Sequence, residues 1–201
     1  MKSTKRPAPK TAGDWIEVAL DVISRDGVEA AAIEPLARLL KVSKGSFYWH
    51  FANRQALLDA ALARWQKSET DDVIEAASGE EDPIKRIERL FIEVVSNRRT
   101  APLYLAFSSS SDPAVKKVMR TVSRERLRFL RECYENLGLS KIEADHWALL
   151  AYTAYLGALH LRRDAPAEVP KGAAFPRYVQ HLLTTLIPRA TFRVSPSRER
   201  V

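Results

Sequence analysis

Apolar side chains recur along this chain at three- and four-residue spacing, and no stretch alternates at period two, so the elements it predicts are helices. From Trp15, the positions Ile16, Ala19, Leu20 and Ile23 mark one helical face, and Gly27 supplies a terminator. Leu36, Ala37, Leu39 and Leu40 form a second, shorter patch around Pro35, which a first helical turn accepts because an N–H there has no partner to lose. Ser43 is placed to cap a third helix running through Tyr48, and Asn53 a fourth that carries Leu57, Leu58, Ala61, Leu62 and Trp65. The acidic, small-residue stretch 68–82 reads as a helix end followed by a loop, the natural place for a domain boundary. Beyond it three helices open on a capping side chain with proline close behind: Asp82-Pro83, Thr100-Ala101-Pro102 and Asp112-Pro113. The last runs to Asn136, ahead of Gly138. Ser140 and Glu143 form a capping box for a helix ending near Arg163, and a final helix from Phe175 to Ile187 stops at Pro188. The expected fold is all-α with about nine helices, divided into an amino-terminal domain, residues 1–67, and a helical domain, residues 68–201.

Charge changes the picture. The net +7 lies entirely in the two ends. Lys2, Lys5, Arg6 and Lys10 give the first thirteen residues +4, residues 189–201 carry +3, and the chain between them is balanced at 24 basic and 24 acidic residues. Cationic ends either attract a polyanion by counterion release or simply keep the protein in solution, and charge alone does not separate the two. The single cysteine, Cys133, offers no intrachain disulfide, and no secretory pattern opens the chain, so a cytoplasmic location is expected. Cys133 lies among Arg124, Arg126, Arg128 and Arg131, which suits either a redox-active thiolate or a small buried apolar side chain. The longest uncharged run, His146–Leu161, has 16 residues, short of the roughly 20 a membrane span needs, so no membrane partner is expected.

Residues 33–51 place two short helices around a three- or four-residue connection, the dimensions of a DNA-binding helix-turn-helix. Ser43, Lys44, Gly45 and Ser46 are short or flexible enough for the first turn of the second helix to approach base edges, and Gly45 removes a Cβ where backbone would lie near DNA. Tyr48, Trp49 and His50 occupy successive helical positions, so they cannot all face a core. Phe47 and Phe51, four apart, read as core packed against Leu36 and Leu58.

The block from Trp15 to Leu58 resembles the amino-terminal domain of the tetracycline-repressor (TetR) family of transcriptional regulators. The likeness is carried by Val42-Ser43-Lys44-Gly45-Ser46-Phe47-Tyr48-Trp49-His50-Phe51 and by Asn53-Arg54-Gln55-Ala56-Leu57-Leu58. It implies that Ser46, Tyr48 and Trp49 face DNA, with the tyrosine donating to phosphate, and that Arg54 stands for a family lysine that meets a phosphate at a helix start. His50 is counted with this set, although such a histidine is more often structural than base-reading. The chain departs from the family pattern at Ala31 and Ala32, where threonines are usual, and at Glu34, often a basic residue. Poorer backbone contacts from that helix are expected, with the basic arm as a compensating element.

In the second domain, a helix uncharged on every face from His146 to Leu161 needs a second surface to hide it. With the 175–187 helix it predicts a homodimer through the 140–163 and 175–187 helices, the assembly that the resemblance also implies. Two recognition helices about 34–36 Å apart would read a palindromic operator on double-stranded DNA. The resemblance further implies a small-molecule effector that releases DNA, and hence a repressor. Phe91, Tyr104, Phe107, Met119, Trp147, Tyr152 and Tyr155 are candidate lining residues for it, though each also reads as plain core. Arg98 and Arg99 ahead of Thr100 are a candidate anion site or a solvated basic pair. No GxSxG, HExxH, glycine-rich phosphate loop or CxxC appears, so no enzyme, catalytic residue or cofactor is expected. His146 and His160, 14 residues apart on one helix, lie about 21 Å apart and cannot share a metal. The competing expectation is a ligand- or partner-binding helical dimer whose helix-turn-helix is vestigial.

Overall fold

The computed structural model describes residues 10–96 and 100–188. Its elements are α1 (Ala12–Asp26), α2 (Ile33–Leu40), α3 (Lys44–Phe47), α4 (Arg54–Gln66), α5 (Asp72–Ser78), α6 (Pro83–Ser96), α7 (Thr100–Ser108), α8 (Pro113–Asn136), α9 (Lys141–Asp164) and α10 (Ala174–Leu186). A 3₁₀ turn, Val28–Ala30, precedes α2, and a π-helical turn, Lys67–Asp71, joins α4 to α5 without a break. The ten segments are therefore nine separate helices, with no strand among the described residues, as the hydrophobic periodicity requires. Lys2, Lys5, Arg6, the 189–201 tail and the Arg98-Arg99 pair lie outside the described residues. Among those described, no helix is long and apolar enough to cross a membrane.

Of the expected caps, those at Asn53, Asp82, Asp112 and Ser140 form and one does not. Asn53 accepts the Ala56 N–H at 2.9 Å, Asp82 accepts from Ile84 at 2.8 Å, and Asp112 accepts from Ala114 at 2.8 Å. Ser140 and Glu143 close a reciprocal box at the start of α9, and Thr11 with Asp14 does the same for α1. Gly27, at φ 85°, ends α1 with its N–H on the Ile23 carbonyl. The exception is Ser43, whose side chain caps nothing. The stretch 68–82 also departs from the expected helix end and loop, since helix persists to Ser78. Its Thr70 and Ala77 are buried, and that burial outweighs the weak helix propensity of the acidic run.

The chain divides into two compact units, Met1–Val73 with Arg98–Arg126 and Ile74–Asn97 with Leu127–Val201. In the first, α1 packs on α2, α4 and α7. Trp15, wholly buried, meets Phe47 edge-on at 5.2 Å, and Phe47 lies 5.6 Å from Phe51. A second cluster surrounds Trp65, with Phe107 at 5.0 Å and Tyr104 at 6.4 Å between ring centroids. The Arg126 guanidinium stands 5.8 Å from both the Trp65 and Tyr104 rings. It also donates to the Thr70 hydroxyl at 3.0 Å and to the Glu69 carbonyl at 2.9 Å. Those bonds supply the polar groups of the π-helical turn with a charged partner.

In the second unit α10 packs on α6 and α9. Ala144, Ala148 and Ala151 are the buried stripe of α9, and the Tyr134 hydroxyl donates to the Leu186 carbonyl at 2.8 Å, tying α8 to the end of α10. Cys133 is buried here, and that burial pushes its thiol up to about 12, so the thiol stays protonated near neutrality.

Candidate nucleic-acid interface

The turn between α2 and α3 follows from backbone chemistry. Lys41 adopts φ 58°, the left-handed region, and the Val42 N–H reaches back to the Ala37 carbonyl at 3.0 Å while the Lys41 N–H reaches Arg38 at 3.1 Å. This is a Schellman-type end, which normally falls to glycine. It reverses the chain within three residues and sets α3 against α1 through Phe47 and Trp15, with Phe47 and Phe51 both buried. Past Phe47 the backbone continues as tight turns, with the Tyr48 N–H on Gly45 and the His50 N–H on Phe47.

With the phenylalanines anchored inward, their neighbours must point out. Trp49 is 87% exposed and Tyr48 53%, and His50, Ser43, Lys44 and Gly45 are exposed as well, with Ser46 half-buried. Leu39 on α2 adds an exposed apolar side chain that the sequence pattern had assigned to a buried patch. A Cβ built at Gly45 would meet only the Ser43 hydroxyl, at 3.7 Å, so nothing within the fold demands glycine there.

Two charged residues are engaged within the protein. The Arg54 guanidinium donates from Nε to the Ala31 carbonyl at 2.9 Å and from Nη2 to the Val28 carbonyl at 2.6 Å, with the Glu29 carboxylate 3.5 Å away. These acceptors lie in the segment just ahead of α2, whose N-cap, Ala32, has no side-chain hydrogen bond. Arg54 thus fixes the entry to α2 from the start of α4. Lys44 forms an ion pair with Glu34 at 2.5 Å. Their hydrogen bond and mutual attraction hold the Glu34 carboxyl below its usual range and raise the Lys44 ammonium. Sequence spacing could not show either link, because both join residues ten or more apart on separate segments.

The seven candidate effector-lining residues are buried or half-buried, but they are shared between the units: Tyr104, Phe107 and Met119 in the first, and Phe91, Trp147, Tyr152 and Tyr155 in the second. Within the second, Tyr152 and Tyr155 stack at 6.3 Å, and Trp147 lies 6.1 Å from Tyr134. A surface groove of that unit, lined by Glu80–Ile84 with Asn136 and Leu137, contains none of them.

A helix packed on a core, a three-residue reversal, a short second helix and the outward aromatic side chains just past it define a helix-turn-helix domain. Residues 16–61 match the family described as "Bacterial regulatory proteins, tetR family". Over these residues the chain is similar to that family. It is 32% identical over 107 residues to the HTH-type transcriptional regulator TtgR of Pseudomonas putida, covering 50% of each chain. To the class A tetracycline repressor from transposon 1721 of Escherichia coli it is 44% identical over 45 residues, 22% of this chain and 21% of that one. The chain spans about half the length of the curated relatives it matches first. A TetR transcriptional regulator from Legionella pneumophila has the same fold, with a TM-score of 0.73 at 19% identity over 91% of this chain and 100% of the other.

Proposed function

We propose that this chain is a homodimeric DNA-binding transcriptional regulator, a repressor released from a palindromic operator by a small molecule. The observation that carries this reading is the exposed pair Tyr48 and Trp49, held just past the buried Phe47 that ends the helix following the turn. Exposed indole and phenol groups suit sugar–phosphate and base contacts, and Trp49, at 87% exposure, contributes little to folding where it stands. Ser43, Lys44, Gly45, Ser46, Tyr48, Trp49 and His50 form the DNA surface in this reading. Arg54 supports it by positioning α2 and retains Nη1 for a phosphate. The names of TtgR and the tetracycline repressor support regulation and repression.

Dimerisation is supported by α9. Ile142, Leu149, Leu150 and Leu161 are exposed on the side opposite its buried alanines. Gly157 on that side faces open space, so the chain's own packing does not account for a glycine in mid-helix. A second copy laid against this stripe would bury the leucines and use the close approach that Gly157 permits. In this reading residues 1–67 contact DNA and residues 68–201 dimerise and hold the effector. The effector acts by preferring the conformation that fits DNA less well.

Selection of bound fragments from the source genome at about 0.15 M salt tests the reading, because nonspecific contacts weaken there and specific ones persist. Recovery of one inverted-repeat sequence is the expected result. Recovery of unrelated sequences only would favour the vestigial helix-turn-helix.

A further inference from the structure

An acidic side chain in the first turn of a helix usually needs no explanation beyond the helix dipole. Glu34 is different because its carboxylate is turned onto Lys44 Nζ at 2.5 Å, ten residues away on the following helix. Both side chains are more than half exposed, so the pair adds little to folding. It does alter the surface that would meet DNA. The cation best placed at the start of α3 is already matched by an anion within the same domain.

We propose that Glu34 acts as an intramolecular stand-in for a DNA phosphate, limiting the backbone affinity of this surface by competing for Lys44. Bound DNA has two ways to accommodate the pair. Either the pair stays closed and a phosphate faces a neutral couple, or Lys44 moves to the phosphate and leaves Glu34 as an unpaired anion near the duplex. Both weaken sequence-independent binding relative to a neutral residue at 34. Recognition then leans more heavily on Ser43, Ser46 and Trp49, whose contacts depend on the bases presented. Glu34 is thus a specificity-determining residue that raises discrimination by reducing nonspecific affinity. The inference rests on the DNA-binding reading above.

The test uses the full chain and a random-sequence 30-base-pair duplex, with affinity measured by fluorescence anisotropy over a series of salt concentrations. Each phosphate neutralised contributes about 0.9 to the slope of log K against log salt. Glu34→Gln should therefore steepen the slope by about one and tighten binding several-fold near 0.1 M salt. Glu17→Gln is the control, since Glu17 pairs with Arg64 at 3.4 Å with similar exposure and its replacement makes the same change in net charge. In a Lys44→Gln background, Glu34→Gln should do no more than the control does. Equal effects of Glu34→Gln and Glu17→Gln would overturn the proposal, as would a Glu34→Gln gain that survives without Lys44, or a loss of affinity. If the folded wild-type protein fails to bind the duplex even at about 0.05 M salt, the DNA-binding reading itself falls. Binding by the wild type that Glu34→Gln leaves unchanged removes only the role of Glu34.

Discussion

Trp49 lies almost wholly in solvent while Phe47, two residues earlier, is fully buried, and this contrast separates the residues that build the domain from those available to a partner. Gly45 makes the separation testable. Because a Cβ there meets nothing closer than 3.7 Å, Gly45→Ala should leave stability unchanged or raise it by up to about 1 kcal/mol, while DNA affinity falls; urea unfolding and anisotropy together check this. Arg54 belongs to the other set. Arg54→Met strips the Val28 and Ala31 carbonyls of their donor, and a loss of about 1–3 kcal/mol in urea unfolding is expected. Cys133 carries the remaining prediction at this scale. Its thiol, raised to about 12 by burial, should react with a thiol reagent only as fast as the protein unfolds. Rapid labelling of the native state would contradict that. The elevated value also means that this group's contribution to stability is complete below its ordinary 9.0 and fades as pH climbs toward 12.

At the scale of elements, the caps were the most legible signal in the sequence, because an Asn, Asp or Ser side chain satisfies free N–H groups within its own turn. Asn53, Asp82, Asp112 and Ser140 all act locally in this way. What could not be read depends on distant partners. The helix across 68–78 persists because Thr70 and Ala77 are buried and Arg126, more than fifty residues on, donates to Glu69 and Thr70. Ser43 caps nothing although its residue type favours the role. The candidate DNA surface was legible as a set of residues, since the burial of Phe47 and Phe51 forces their neighbours outward. The ties of Lys44 to Glu34 and of Arg54 to the segment before α2 were not. The capping box of α9 gives a pH prediction. Bonds from Ser140 hold the Glu143 carboxyl below its usual 4.5, so its support of α9 is complete above that value and lost as pH falls through the lowered one. Acid unfolding of Glu143→Gln should accordingly show a shallower decline over that range than the wild type does.

For the molecule as a whole, α9 gives one chain both an inner alanine face and an outer leucine face. The sequence showed that the helix was uncharged all round, but not which side turned inward, because alanine and leucine both read as apolar. The exposed leucines are expected to close a twofold interface. Leu149→Glu should therefore yield a folded monomer by sedimentation and weaken operator binding, since only a dimer spans two half-sites. A dimer that persists through that change would place the interface elsewhere. The central claim is that the surface around Tyr48 and Trp49 reads DNA, and its most direct test is the affinity of the wild type and of Tyr48→Ala/Trp49→Ala for the duplex recovered by genomic selection. Both side chains are exposed, so the variant should keep its fold and its dimer. The account predicts tight, sequence-dependent binding by the wild type and loss of that preference in the variant; unchanged affinity and preference would contradict it.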